Sequence, residues 1–134
     1  MTHRRTIASV AMVLLIAACG GFEQRSLCRD YENLQESAAQ IDELDPDTAT
    51  AEDVRRIAEE VSADLTALSA SAEDQYTQAI SELALALDEL EQTAYELGGT
   101  NLREAQPLLE DTFAATVVKY RVLTDRLDVV CNTD

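Results

Sequence analysis

Three thiols, Cys19, Cys28 and Cys131, are the residues of this chain with the most distinctive chemistry, and His3 is its only imidazole. Ser-His and Cys-His nucleophiles need a histidine base. Zinc sites of the usual kind need clustered Cys and His, and di-iron helical bundles use Glu-x-x-His. His3 lies in the opening stretch that reads as a cleaved export signal, so the mature chain would supply none of these, and the chain has no Gly-rich phosphate loop. Acids are plentiful, 26 Asp+Glu against 10 Lys+Arg for a formal charge of −16, yet nothing sets one carboxylate apart from its neighbours as a paired-carboxylate site requires. The run Asp42-Glu43-Leu44-Asp45-Pro46-Asp47 fails as a hand-type calcium loop begun at Asp45. Its sixth position is Thr50 rather than Gly, and its twelfth is Arg56 rather than Glu. It reads as a solvated acidic loop, with weak divalent-cation binding at most. No catalytic residue, metal site or cofactor is expected. The acidity also argues against nucleic acid as a partner and against electrostatic docking onto anionic lipid.

Cys19 stands at the end of a patterned stretch. Met1 to Arg5 is short and basic, Ile7 to Ile16 is apolar apart from Ser9, and Ala17-Ala18 is small. That is the layout of an export signal, and the apolar run is about half the ~20 residues a spanning helix needs. The junction Ile16-Ala17-Ala18-Cys19 resembles the lipobox of bacterial lipoprotein precursors, a likeness that covers residues 1–19. It implies a diacylglyceryl group on the Cys19 sulfur, cleavage between Ala18 and Cys19, and acylation of the new amino group. Two acyl chains anchor stably where one is marginal. Arg4-Arg5 faintly resembles a twin-arginine signal, but Thr6-Ile7-Ala8 matches it poorly, so ordinary secretion is expected. Loss of residues 1–18 removes His3 and two Arg, leaving a charge of −18. The expected place is the extracytoplasmic face of the cell membrane, with Gly20-Gly21 opening a loose tether over residues 19–25. The acidic, Ala-rich remainder is similar in composition to small actinobacterial envelope lipoproteins of unassigned role, a likeness that adds location and no activity.

With Cys19 assigned to lipid, Cys28 and Cys131 remain. Outside the cytoplasm two thiols usually oxidise, and closing a ~100-residue loop is worth about 4–5 kcal/mol in the chain-entropy model. The alternative is two buried free cysteines.

The elements around them read as helical, because Ala, Leu, Glu and Gln dominate while only four Gly and two Pro occur. Leu27, Tyr31, Leu34, Ala38 and Ile41 make one helix face, which Asp45-Pro46 ends. Thr50-Ala51-Glu52-Asp53 resembles a capping sequence with Asp in place of Glu and opens a second stripe, Val54, Ile57, Val61, Leu65 and Leu68. A third steps 4, 3, 4, 3, 4, 3 through Tyr76, Ile80, Leu83, Leu87, Leu90, Ala94 and Leu97, stopped by Gly98-Gly99. Leu68 to Asp74 has no Gly or Pro, so segments two and three are either separate or one bent helix. A fourth follows Asn101, with Pro107 either beginning it or kinking it and Leu109, Phe113, Val117, Tyr120, Thr124 and Leu127 as its core stripe. In an up-down bundle of four helices, the first begins where the fourth ends. Cys28 and Cys131 are then neighbours, whereas three helices would hold them far apart. The expected fold is thus an all-α, up-down-up-down four-helix bundle over residues 26–131, after a cleaved signal peptide (1–18) and before a short tail (132–134). The 44–52 and 97–102 loops share the end opposite the cysteines.

Two functions fit this frame. One is a non-catalytic interaction module for another envelope component. The other is a carrier of a small apolar ligand, which needs a pocket of a few hundred cubic ångströms lined by small side chains. The regular seams favour a filled core and hence the first. On the fourth helix Ala115, Val118, Val122 and Val129 fall opposite the core stripe, where a surface helix should be polar. They are either scattered surface apolars or a shallow stripe for a partner.

Overall fold

The computed structural model describes residues 25–132, so Ala18 and Cys19, and with them the lipobox and most of the tether, lie outside the described residues. Four helices pack against each other in an all-α bundle. Helix α1 covers residues 25–39 and tightens into a 3-10 turn, Gln40–Glu43. The chain leaves helical geometry at Leu44 (φ −71°, ψ 127°), just ahead of Asp45-Pro46. Helix α2 is Ala51–Ser71, α3 is Thr77–Leu97 and α4 is Leu102–Cys131.

Helices α2 and α3 are separate. Ala72 and Glu73 are extended, and a 3-10 turn at Asp74–Tyr76 leads into α3. At the start of α2 the Thr50 backbone N–H donates to Asp53 Oδ2 at 2.9 Å, so Asp takes the role Glu plays in a capping box. Gly98 at φ +52° terminates α3, the left-handed region in which a Cβ is strained. Asn101 accepts the Arg103 N–H at 3.0 Å and caps α4. Pro107 neither begins nor ends α4 but lies inside it, six residues past the cap. Its missing N–H forfeits the bond to the Arg103 carbonyl.

The pairings are antiparallel throughout. From α1 to α2, Asp30 meets Ser71, Ser37 meets Asp64 and Gln40 meets Glu60, one number rising as the other falls. Helices α3 and α4 repeat this with Ala86–Thr116 and Glu82–Lys119. Helix α1 returns against α4 at its start, where Cys28 and Cys131 form a disulfide with Cα atoms 5.5 Å apart. This is the neighbour relation that an even helix count requires. At the other end the two loops are laced together. The Ala51 and Glu52 N–H groups, which have no partner within their own helix, donate to the carbonyls of Thr100 and Gly98, each at 3.0 Å. The Leu102 N–H donates to the Ala49 carbonyl at 2.9 Å. The negative end of α3 thereby meets the positive end of α2.

The core holds Leu34, Leu68, Leu83, Leu123 and Leu127, all fully buried. The stripes expected on α2 and α3 are buried as read, apart from half-buried Leu97. On α4 the expected stripe needs correction. The buried positions are Ala105, Leu109, Thr116, Leu123 and Leu127, whereas Val117, Tyr120 and Thr124 are half-buried and Phe113 is exposed. The helix is turned so that Thr116 points inward. Its hydroxyl is satisfied there by donating to the carbonyls of Thr112 (2.8 Å) and Ala86 (3.3 Å), which makes burial of this polar group tolerable.

Candidate functional site

That rotation leaves Phe113, Val117 and Tyr120 facing the seam between α1 and α4. The lower part of the seam is closed. Besides the disulfide, Tyr31 is almost wholly buried and its hydroxyl donates to Asp128 Oδ1 at 2.5 Å, with Thr124 O at 3.4 Å. Gln35 Nε2 donates to the same hydroxyl at 3.0 Å, and Asn132 Nδ2 donates to Asp128 Oδ1 at 2.8 Å. Burial, then the hydrogen bond to Asp128 and its negative charge, pushes the Tyr31 phenol well above the ordinary tyrosine range. Burial also raises Tyr120, helped by Asp128.

Above this clasp the seam is open. A groove of ≈ 650 Å³ lies between Gln35, Ala38 and Ala39 on α1 and Phe113, Val117 and Tyr120 on α4. Its floor is the bundle core itself, with Ile57 and Val61 from α2 and Leu87 and Leu90 from α3. A second hollow of ≈ 480 Å³ continues it towards the loop end, sharing Ile41, Asp42, Val54 and Phe113 and reaching Leu102 and Arg103. From Arg103 to Arg121, the α4 side of this trough runs about 27 Å at the helical rise of ~1.5 Å per residue. The filled core expected from the regular seams is therefore not found along α1–α4. The reason is local. At this level α1 presents alanines, and its α-helix ends at residue 39 while α4 runs on beside it.

The remaining sequence candidates lie elsewhere. Ala115, Val118, Val122 and Val129 are all exposed, the three valines to 56, 40 and 69%, among exposed Arg121, Asp125 and Arg126. They do not line the groove. The acidic run 42–47 has structural work. The Asp45 carboxylate accepts the Asp47 N–H at 2.9 Å, its carbonyl accepts from Thr48 and Ala49, and Asp47 pairs with Arg103. Among the described residues no group of three or more His, Cys, Asp or Glu is arranged to hold a metal ion. Lys119 pairs with Glu82 at 3.4 Å.

Sequence reading missed the groove because Phe113, Val117 and Tyr120 carry the apolar character of core positions. The signal available was the small pair Ala38-Ala39 opposite them, at the level where Thr116 sits in the core register. Comparison of the chain with protein-family models, curated proteins and solved structures finds no match in any of the three.

Proposed function

We propose that this protein is a lipid-anchored, extracytoplasmic binding module without catalytic activity, and that the α1–α4 groove is where it engages another envelope component. The observation that carries the reading is the groove, an apolar trough floored by core residues and open along its length. Concave clefts of this size between the helices of a bundle are common binding sites. The lipobox at Ile16-Ala17-Ala18-Cys19 supports the anchor. The absence of histidine from residues 25–132 supports a non-catalytic role.

A second reading, a carrier of a small apolar ligand, is favoured by the groove volume, which falls in the ligand-pocket range of ~300–1,000 Å³, and by its alanine wall. The length of the trough and its open mouth favour an elongated partner over an enclosed small molecule.

Two measurements test the proposal. Intact-mass spectrometry of membrane-extracted protein should show cleavage before Cys19 and acyl chains upon it. A free Cys19 thiol, or cleavage elsewhere, would remove the anchor. Purification of the lipidated protein from its own membrane should retain a component with the native groove and lose it with Val117→Glu. Identical sets of co-purifying molecules from both would exclude the groove as the site.

A further inference from the structure

The outer face of α4, which the bundle leaves uncovered, has a pattern of its own. Leu108, Ala115, Val122 and Val129 recur every seven residues, with Val118 between two of them, and all five are exposed. A seven-residue apolar repeat is the spacing of a seam between helices. The charges along this face change sign at its middle. The exposed acids of the first half are Glu104, Glu110 and Asp111, and the base there, Arg103, is held by Asp47 of its own chain. In the second half the exposed charges are Arg121 and Arg126 against one acid, Asp125. Of the half-buried charges beside them, Lys119 is paired with Glu82, and Asp128 accepts the Tyr31 hydroxyl.

From this we infer that the outer face of α4 docks on the same face of a second copy, the two helices running antiparallel. A face with one acidic and one basic half complements itself only when the copy is turned end over end, which is the two-fold, isologous contact of homodimers. Parallel helices would set Glu104, Asp111, Arg121 and Arg126 each against its like, which costs affinity. With Val118 level with the partner's Ala115, Arg121 comes within two positions of the partner's Asp111 and the partner's Glu110, and Arg126 within three of the partner's Glu104. The two-fold axis repeats each contact. Only Asp125, level with the partner's Leu108, meets no base. Phe113, Val117 and Tyr120 lie on the α1 side of α4, so pairing leaves the groove of each copy open, and the inference does not depend on the groove. The disulfide ends of the two copies then lie about 44 Å apart at the helical rise of ~1.5 Å per residue. Residues 19–24 extend to about 20 Å, which lets two lipid-anchored copies share one membrane with the pair lying along it.

In the cells that make the protein, one added thiol at a time reads the arrangement with a short bis-maleimide crosslinker. Val118→Cys lies near the two-fold axis and should give a product of two copies. Leu108→Cys and Val129→Cys sit about 25 Å and about 38 Å from their own mates along the helix, so each should give at least about tenfold less product. Copies carrying Leu108→Cys and Asp125→Cys, made together, should crosslink to each other. Glu104→Arg with Glu110→Arg, or Arg121→Glu with Arg126→Glu, sets like against like, and each should cut the product at position 118 at least about fivefold. Copies of the two reversed kinds made together should pair again, because each offers the other opposite charges. All these positions are exposed, so the variants keep the core. Should an added thiol disturb the Cys28–Cys131 bridge, a benzophenone side chain at position 118 reads the same charge variants without one. Self-crosslinking at 108 and 129 as strong as at 118, no two-copy product from position 118, or failure of the two reversed kinds to pair with each other overturns the inference. So does a product joining position 118 to a different protein, which would give this face another occupant.

Discussion

Removing the bond between Cys28 and Cys131 should be the most damaging change that leaves the hydrophobic core intact. The bond closes a loop of 103 residues. For a loop of ~100 residues, the entropy withheld from the unfolded chain corresponds to about 4.7 kcal/mol. The Tyr31–Asp128 bond and the neighbouring Leu27 and Leu127 persist in the folded form with or without the bridge, so they do not enter the difference. A domain of roughly 110 residues has an unfolding entropy of ~0.23 kcal/mol/K, so the melting temperature should fall by about 20 °C. Circular dichroism melts of the wild type, with and without dithiothreitol, and of Cys28→Ser with Cys131→Ser measure this. The urea m-value should also rise in the variant, because the unlinked unfolded chain exposes more surface. A loss below about 5 °C would refute the chain-entropy account. An unchanged m-value with a large loss would place the stabilisation in the native state instead. Non-reducing peptide mapping should join the two cysteine peptides, and failure to do so would refute the bridge itself.

Tyr31→Phe should cost about 1–2 kcal/mol through the lost charge-assisted hydrogen bond to Asp128. The phenol's pKa is raised in the folded protein, so its contribution is full below the unfolded value of ~10 and is lost as pH rises beyond it. The variant should therefore lose stability less steeply than wild type in alkaline titrations, and parallel curves would contradict this. Glu91 is held above the ordinary range by burial, against the opposing Ser62 hydrogen bond and with the added repulsion of Asp88 and Glu59. Its charged form costs stability at neutral pH, so Glu91→Gln should raise the melting temperature slightly at pH 7, with the gain fading towards pH ~4 as the wild-type carboxyl protonates; a gain that persists in acid would refute this. Leu123→Ala, at a fully buried position, should cost about 3–5 kcal/mol in denaturant unfolding. Val118→Glu with Val122→Glu should shift the melt by only a few degrees, and unfolding of that double variant would show that the rotation of α4 is wrong.

The helices, their order and the disulfide were legible because each rests on one strong local rule. The 4-3 spacing from Tyr76 to Leu97 admits only one buried face. Gly98 and Asp45-Pro46 mark ends, and the cysteine pair demands an even number of helices. The separation of α2 from α3 was not legible. The turn at Ala72–Tyr76 uses no Gly or Pro, and the extended backbone at Ala72 and Glu73 falls on residue types that carry no turn signal. The setting of α4 was misread for a related reason. Hydropathy places Phe113 and Val117 inside, but burial depends on whether a partner surface reaches them. Here Ala38 and Ala39 are too small to do so, while Thr116 enters the core by bonding back to its own helix. The groove, a gap between elements, follows from that mismatch in size and has no residue pattern of its own.

The central claim is that the α1–α4 groove is the face through which this protein meets its partner. Its most direct test is site-specific photo-crosslinking of the protein in the cells that make it, with a benzophenone side chain at Val117 or, as control, at Leu85, which is 66% exposed on α3. The account predicts a discrete adduct from position 117 that Phe113→Glu abolishes, and none from position 85. Adducts from both positions alike, or from position 85 alone, would contradict it.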